Sequence, residues 1–255
     1  MSASNRFALV TCEVFYREMC WAISRSPNQV DMVALPKGLH DLGSDRMRSR
    51  VQEAIDGVKA SDYDAILMGY GLCNNGLAGI VARHIPIVLP RAHDCITLFM
   101  GSRERYIAYF NDHPGTYFKT TGWIERGSAG EDLKQLSIQQ QHGMNMSYEE
   151  MVEKYGEDNA QYLYDELCNH TRNYGQFTFI EMGVEPDASF ERLVEKDAEK
   201  RGWAYQKIQG DLSLIRKLID GLWDESEFLV VAPGEQIAPT YDLDRIVQVE
   251  PAIES

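Results

Sequence analysis

Short, almost unbroken apolar runs recur along the first third of the chain, and each is followed by a segment whose apolar residues fall at helical spacing. The runs are RFALVT (6–11), VDMVAL (30–35), YDAILM (63–68) and IPIVL (85–89). The helical segments are Glu13 to Ser24, Ser44 to Lys59, Asn75 to His84 and Ile96 to Phe110, and Ser44 is placed as an N-cap. A strand that is apolar on both sides must be covered on both faces. Alternation with helices therefore predicts an α/β fold with a Rossmann-like parallel sheet flanked by helices. Right-handed crossovers then bring all the strand exits to one edge.

The pattern resumes downstream. Phe177 to Glu181, Tyr205 to Ile208 and Phe228 to Ala232 read as strands, with helices at Asp187 to Arg201 and Leu212 to Leu222. Between the two stretches, Pro114 to Gln141 has turn residues and aromatics without a clean period. Ser147 to Asn173 reads as helix, opened by a capping box of Ser147 and Glu150. Two α/β halves are thus expected: 1–113, then a crossover or lid with a helical segment at 114–174, then 175–255. No internal repeat or low-complexity tract interrupts them.

The formal charge of −14 on 255 residues repels polyanions, and no basic stripe or aromatic platform is present, so nucleic acid is excluded as an expected partner. No stretch approaches the ~20 apolar residues of a membrane span, and the N-terminus lacks a basic segment leading into an apolar one. A cytoplasmic protein acting on a small molecule is the expectation. Five cysteines in such a chain point to reduced thiols rather than a disulfide framework.

Three of those cysteines share a topological position. Cys12 follows the first strand, Cys73 the third and Cys95 the fourth. The carboxyl edge of an open α/β sheet is where ligands bind, so residues far apart in sequence meet there. Thiolates are soft ligands, and His93 stands two residues before Cys95. Such a set suits Zn²⁺ or a [4Fe–4S] cluster rather than Mg²⁺ or Ca²⁺. His93 is either a ligand or a donor behind the ligands. Around Cys73, GYGLCNNG permits tight turns ahead of the expected helix start, whose dipole would lower the thiol pKa. Cys20 and Cys168 lie in helical patterns and are expected to pack as small hydrophobes.

Other residues are candidates by chemistry and place. Arg91 and Arg103 flank the fourth strand's exit and present guanidinium groups suited to a carboxylate or phosphate, whereas Arg105 reads as a solvated helix position. In GTYFKTTGWIE, Tyr117, Lys119, Trp123 and Glu125 combine aromatics, a base and an acid, as a lid over a small ligand requires, or an edge strand. Glu125 and Arg91 are the candidate catalytic groups; Arg103 and Trp123 are the candidate cofactor contacts. The turn APGEQIAP offers Gly234 and Glu235 to a cleft, or is simply a turn. GYGLCNNG lacks GxGxxG spacing, and neither GxSxG nor a P-loop occurs, so a nicotinamide cofactor is not expected.

The segments YDAILMGYGLCNNGLAGI, IPIVLPRAHDCITLFMGSRERY and PGTYFKTTGWIE resemble an uncharacterised bacterial and archaeal family, classed as a domain of unknown function, over residues 6–235. Members of that family accompany genes for corrinoid-dependent methyltransferases, so the resemblance implies a corrinoid protein or its methyltransferase as partner. His93-x-Cys95 with Cys73 or Cys12 is similar to the His-x-Cys pair and distant Cys with which some zinc methyltransferases hold their metal. The function expected is a metal-dependent enzyme of one-carbon or sulfur metabolism that activates a thiol or small polar substrate. The alternatives are a [4Fe–4S] enzyme with an open iron, a non-catalytic metal carrier or corrinoid-protein accessory factor, and structural zinc with a filled shell and no adjoining pocket.

Overall fold

The structure is a computed structural model and describes residues 4–127, 147–157, 159–162, 173–242 and 244–252. The first sheet holds β1 (Arg6–Cys12), β2 (Gln29–Leu35), β3 (Ala65–Gly69), β4 (Ile87–Pro90) and β8 (Phe228–Val231) in the order β2-β1-β3-β4-β8. Pairs β1–β2, β1–β3 and β3–β4 are parallel, and β8 closes the edge antiparallel to β4. The apolar runs explain the order. β1, β3 and β4 are buried almost throughout and sit in the middle, whereas β2 alternates between exposed and half-buried residues and takes an edge.

A second, all-parallel sheet has the order β5-β6-β7, from Thr116–Lys119, Gln176–Glu181 and Ala204–Gln209. In β6, Phe177 and Phe179 pack with Val194 and Ala198 of the helix Ser189–Arg201, while Ile180 joins the main core with residues of the first sheet. A two-residue period thus buries both faces of one strand. The helix Ser213–Asp220 lays a stripe of Leu214, Ile215, Leu218 and Ile219 into the main core beside the helix Tyr16–Ile23. The fold is therefore α/β, with one mostly parallel and one all-parallel sheet flanked by helices.

Two strands pair across the expected block boundaries. Residues 116–119, read as crossover, form an edge strand of the second sheet, and 228–231, read as part of the second half, pair with the first. A small antiparallel pair, Glu235–Pro239 with Val247–Pro251, follows.

Helices in chain order are α1 (Tyr16–Ile23), α2 (Ser44–Asp56), α3 (Cys95–Met100), α4 (Arg103–Asp112), α5 (Thr121–Glu125), α6 (Tyr148–Tyr155), α7 (Ser189–Arg201) and α8 (Ser213–Asp220). The capping box at α6 forms as expected: Ser147 Oγ accepts from the Glu150 N–H at 3.2 Å, and Glu150 Oε2 accepts from the Ser147 N–H at 2.7 Å. Ser44 is the first residue of α2 rather than its cap, and Gly43 occupies the cap position.

Two expected helices differ. Ile96 to Phe110 splits into α3 and α4 because Gly101 takes φ 76°, and a Cβ there would lie 2.5 Å from Asp211 Cβ. Asn75 to His84 contains no α-helix. Its start is preempted by three successive left-handed residues, Cys73 (φ 48°), Asn74 (φ 54°) and Asn75 (φ 63°). Cys168 and the stretch 128–146 lie outside the described residues.

Candidate active site

The parallel strands of the first sheet deliver their carboxyl ends to one side. Cys12 is the last residue of β1, and the turn after β2 carries His40. Beyond β3 and β4 the backbones continue side by side, with the Leu72 N–H donating to the Ala92 carbonyl at 2.8 Å and the Cys73 N–H to the His93 carbonyl at 2.9 Å. That approach requires glycine at 71, where a Cβ would sit 2.8 Å from the backbone N, Cα and C of Asp94. Cys73 and Cys95 are thereby held on adjoining loops.

Asp94 starts α3 as its N-cap. Its Oδ1 accepts from the Ile96 and Thr97 N–H groups at 3.0 and 3.4 Å, and its Oδ2 accepts from the Tyr106 hydroxyl at 3.1 Å. Cys73, Asp94 and Cys95 line a cleft of about 670 Å³ with His40, Tyr106 and Trp123. The opposite wall comes from β5 at Thr116, Tyr117 and Phe118, so the cleft lies between the two sheets.

The three thiols occupy one electrostatic neighbourhood. Burial pushes Cys12 up to about 12, and it raises Cys73 and Cys95 as well. Negative charge on neighbouring sulfurs adds to the effect: Cys12 raises Cys73, and both Cys73 and Cys12 raise Cys95. The expected depression of Cys73 by a helix dipole is overturned, since no helix begins there and desolvation dominates. These are neutral thiols until something positive replaces the lost solvation. Among the described residues, no group of three or more His, Cys, Asp or Glu side chains is arranged to hold a metal ion as it stands.

Two buried donors border the sulfurs. The Tyr70 hydroxyl has no hydrogen-bond partner among the described residues; burial raises its pKa, and negative charge on Cys12 or Cys73 would raise it more. The indole N–H of Trp123 is likewise buried without an acceptor of regular geometry; the atom it approaches is the Cys95 sulfur, whose acidity it increases against the larger effect of burial. Lys37 Nζ lies 4.5 Å from the centre of the same indole. Three successive non-glycine residues at positive φ, beginning with Cys73, add backbone strain at the same spot.

The other candidates are placed as follows. Trp123 lines the cleft. His93 is exposed and absent from the lining, and only its carbonyl enters the local hydrogen bonding. The start of α3 turns Asp94 and Cys95 to the cleft and leaves His93, just before the cap, on the solvent side. Glu125 is bound in a two-point ion pair to Arg17, at 2.8 Å for each contact, and borders a different surface hollow beside Tyr16 and Cys20. Arg91 donates to the carbonyls of Glu225, Arg245 and Val247 at 2.8, 3.0 and 2.5 Å. Arg103 is held by the carbonyl of Asp244, by Asp244 Oδ1 at 3.2 Å and by Glu104 at 2.9 Å. Arg91 and Arg103 fasten the C-terminal segment and do not line the cleft.

Lys119 stacks on Tyr117 at 4.9 Å, and burial lowers its pKa. Arg105 donates to the carbonyls of Met100 and Gln209, a structural role in keeping with its expected blandness. Glu235 accepts from the Ala232 N–H at 2.8 Å, so that turn is closed on itself. Cys20, expected to be packed away, is exposed on α1. His40 was missed. Its available signal was position, since LPKGLHD follows the second strand at the same edge as the cysteines.

The molecule is thus an α/β protein with a cysteine-bearing cleft at a sheet edge, a class that the fold and site define together. The chain belongs to the family described as a protein of unknown function, DUF1638, whose model matches residues 34–219. No curated protein and no solved structure matches it. Among the described residues, no helix is long and apolar enough to cross a membrane.

Proposed function

We propose that the chain is a metal-dependent enzyme in which Cys12, Cys73 and Cys95 act as thiolate ligands of a soft metal centre, zinc or an iron–sulfur cluster, that activates a thiol or small polar substrate. The observation that carries this reading is a pair of poorly satisfied buried donors beside the cysteines: the Tyr70 O–H, which has no partner among the described residues, and the Trp123 N–H, which meets only the Cys95 sulfur and in irregular geometry. A buried donor left unpaired costs about 1–3 kcal/mol. A neutral thiol is a weak acceptor and a metal-bound thiolate a better one, so loading the site would relieve both.

A bound soft metal would supply Lewis acidity, lowering the pKa of a substrate thiol so that it reacts as thiolate. The chain's own residues do the rest. Tyr70 and Trp123 stabilise the charge on the ligand sulfurs, and Asp94 fixes the start of α3 and hence Cys95. Tyr106, Tyr117 and Phe118 form an aromatic wall against which a small substrate can pack. A structural zinc site would have no use for an adjoining cleft, and the 670 Å³ beside these cysteines favours substrate binding.

Methyl transfer from a corrinoid protein to a thiol is the specific reaction that the family resemblance implies. It is tested by incubating the anaerobically purified protein with a methylated corrinoid protein and candidate thiols. Transfer that is abolished by Cys95→Ser is expected. Transfer undiminished in Cys95→Ser would remove the cysteine centre from the chemistry.

A further inference from the structure

One pairing of soft donors at the sheet edge involves a histidine that the motif spacing does not suggest: His40, which lines the cleft, is hydrogen-bonded to Cys12 at the end of β1. His40 Nε2 lies 3.6 Å from Cys12 Sγ. In a tetrahedral zinc centre, with Zn–S about 2.3 Å and Zn–N about 2.05 Å, the S···N edge is about 3.6 Å. The two atoms already stand at the separation that sharing one ion requires. We infer that His40, not His93, is the imidazole ligand of a mononuclear zinc-type centre completed by Cys12, Cys73 and Cys95. The inference rests on the reading of those cysteines as metal ligands.

Three further observations support it. His40 lines the same cleft as Cys73 and Cys95, whereas His93 is exposed and outside the lining. The short helical turn Lys37–Leu42 that carries His40 is tied to the residue after Cys12, because the Lys37 N–H donates to Glu13 Oε1 at 2.8 Å. The Cys12–His40 edge is therefore built by one local connection between the exits of β1 and β2. Finally, the His40 ring stands beside Tyr70, with centres 6.2 Å apart, and the Tyr70 hydroxyl has no partner among the described residues.

Closing the centre requires Cys73 and Cys95 to move toward this edge. Cys73, on its left-handed turn, and Cys95, at the first position of α3, both face the cleft. A neutral imidazole at the cleft face would be the more readily displaced ligand beside three thiolates, so a filled shell and a substrate cleft would be compatible.

The test is X-ray absorption at the zinc edge on the full chain, reduced, stripped and reloaded with one equivalent of Zn²⁺, for the wild type, His40→Ala and His93→Ala. The expected result is sulfur and imidazole scattering in the wild type and His93→Ala, with the imidazole signature lost in His40→Ala. Zinc affinity should also fall at least about tenfold in His40→Ala. Imidazole scattering that survives His40→Ala, or is absent from the wild type while sulfur scattering remains, overturns the assignment of His40 and leaves the cysteine centre standing. Failure of the wild type to bind zinc overturns this inference. If it also binds no iron, the metal reading falls too. Circular dichroism monitors folding, and His40→Gln, which keeps a neutral polar side chain, replaces His40→Ala if that variant does not fold.

Discussion

Two regions of the molecule gather reactive-looking side chains, and they differ in how completely those side chains are used. Around the C-terminal segment, Arg91 donates to three carbonyls, and Arg103 is fully engaged with Asp244 and Glu104. At the carboxyl edge of the first sheet, Cys73, Cys95 and Trp123 line a cleft, Cys12 and Tyr70 are buried behind it, and neither the Tyr70 hydroxyl nor the Trp123 N–H has a partner of regular geometry among the described residues. Folding alone accounts for the first arrangement, since every guanidinium stitches chain to chain. It does not account for the second, because unpaired buried donors and left-handed non-glycine backbone both oppose folding. Charge by itself is a poor guide to a site; unfinished bonding is a better one.

The contrast breaks most sharply at Cys73. Cys73→Ala should abolish stoichiometric soft-metal binding, read by metal analysis, while leaving the unfolding midpoint of the metal-free protein near that of the wild type. Metal binding unchanged in this variant would erase the distinction between the regions.

Glu18 probes the rule from outside the cleft. It is fully buried on α1 with both carboxylate oxygens unpartnered, and burial raises its pKa from 4.5 to about 7. A carboxyl group whose folded pKa is raised binds its proton more tightly folded than unfolded. Its contribution is complete below about pH 4.5 and is lost as pH rises through about 7. The loss amounts to about 3 kcal/mol, and Glu18→Gln should flatten that part of the stability profile in urea melts at pH 5 to 8. An unchanged slope would mean the carboxylate finds a partner that this packing does not show.

Arg91→Ala should lower stability by about 2 kcal/mol, because carbonyls at three places lose their donor, and should leave metal binding untouched. Coupled loss of metal would merge the two regions into one. Glu125→Gln should have the smallest effect, about 1 kcal/mol or less, since the Arg17 pair is partly exposed, with side-chain exposures of 32% and 28%. A large fall in activity in this variant would return Glu125 to the catalytic group.

Much of this architecture is legible in the sequence for a physical reason. β1, β3 and β4 are buried on both faces, so their apolar runs carry an unambiguous signal, and Cys12, Cys73 and Cys95 lie at or beyond the exits of those strands. What escapes is decided by pairing and by single backbone angles. β8 joins the first sheet antiparallel, which its composition does not encode. The left-handed turn at 73–75 replaces an expected helix because asparagine tolerates positive φ, yet asparagine also occurs in ordinary turns. Gly101 breaks a continuous helical pattern by its contact with Asp211, a residue more than a hundred positions away. His40 carries no local motif, and only the fold brings it to Cys12. His93, two residues from Cys95, shows the converse, since proximity in sequence left its side chain outside the cleft.

The central claim is that the cysteine edge is unfinished without a soft metal. Its most direct test is metal analysis of the full chain purified without oxygen, together with its absorption spectrum. Zinc or iron at near-stoichiometric amounts is predicted, colourless for zinc and brown for a cluster, and lost in Cys73→Ala. Wild-type protein that carries neither metal and takes up neither on reconstitution would contradict the account.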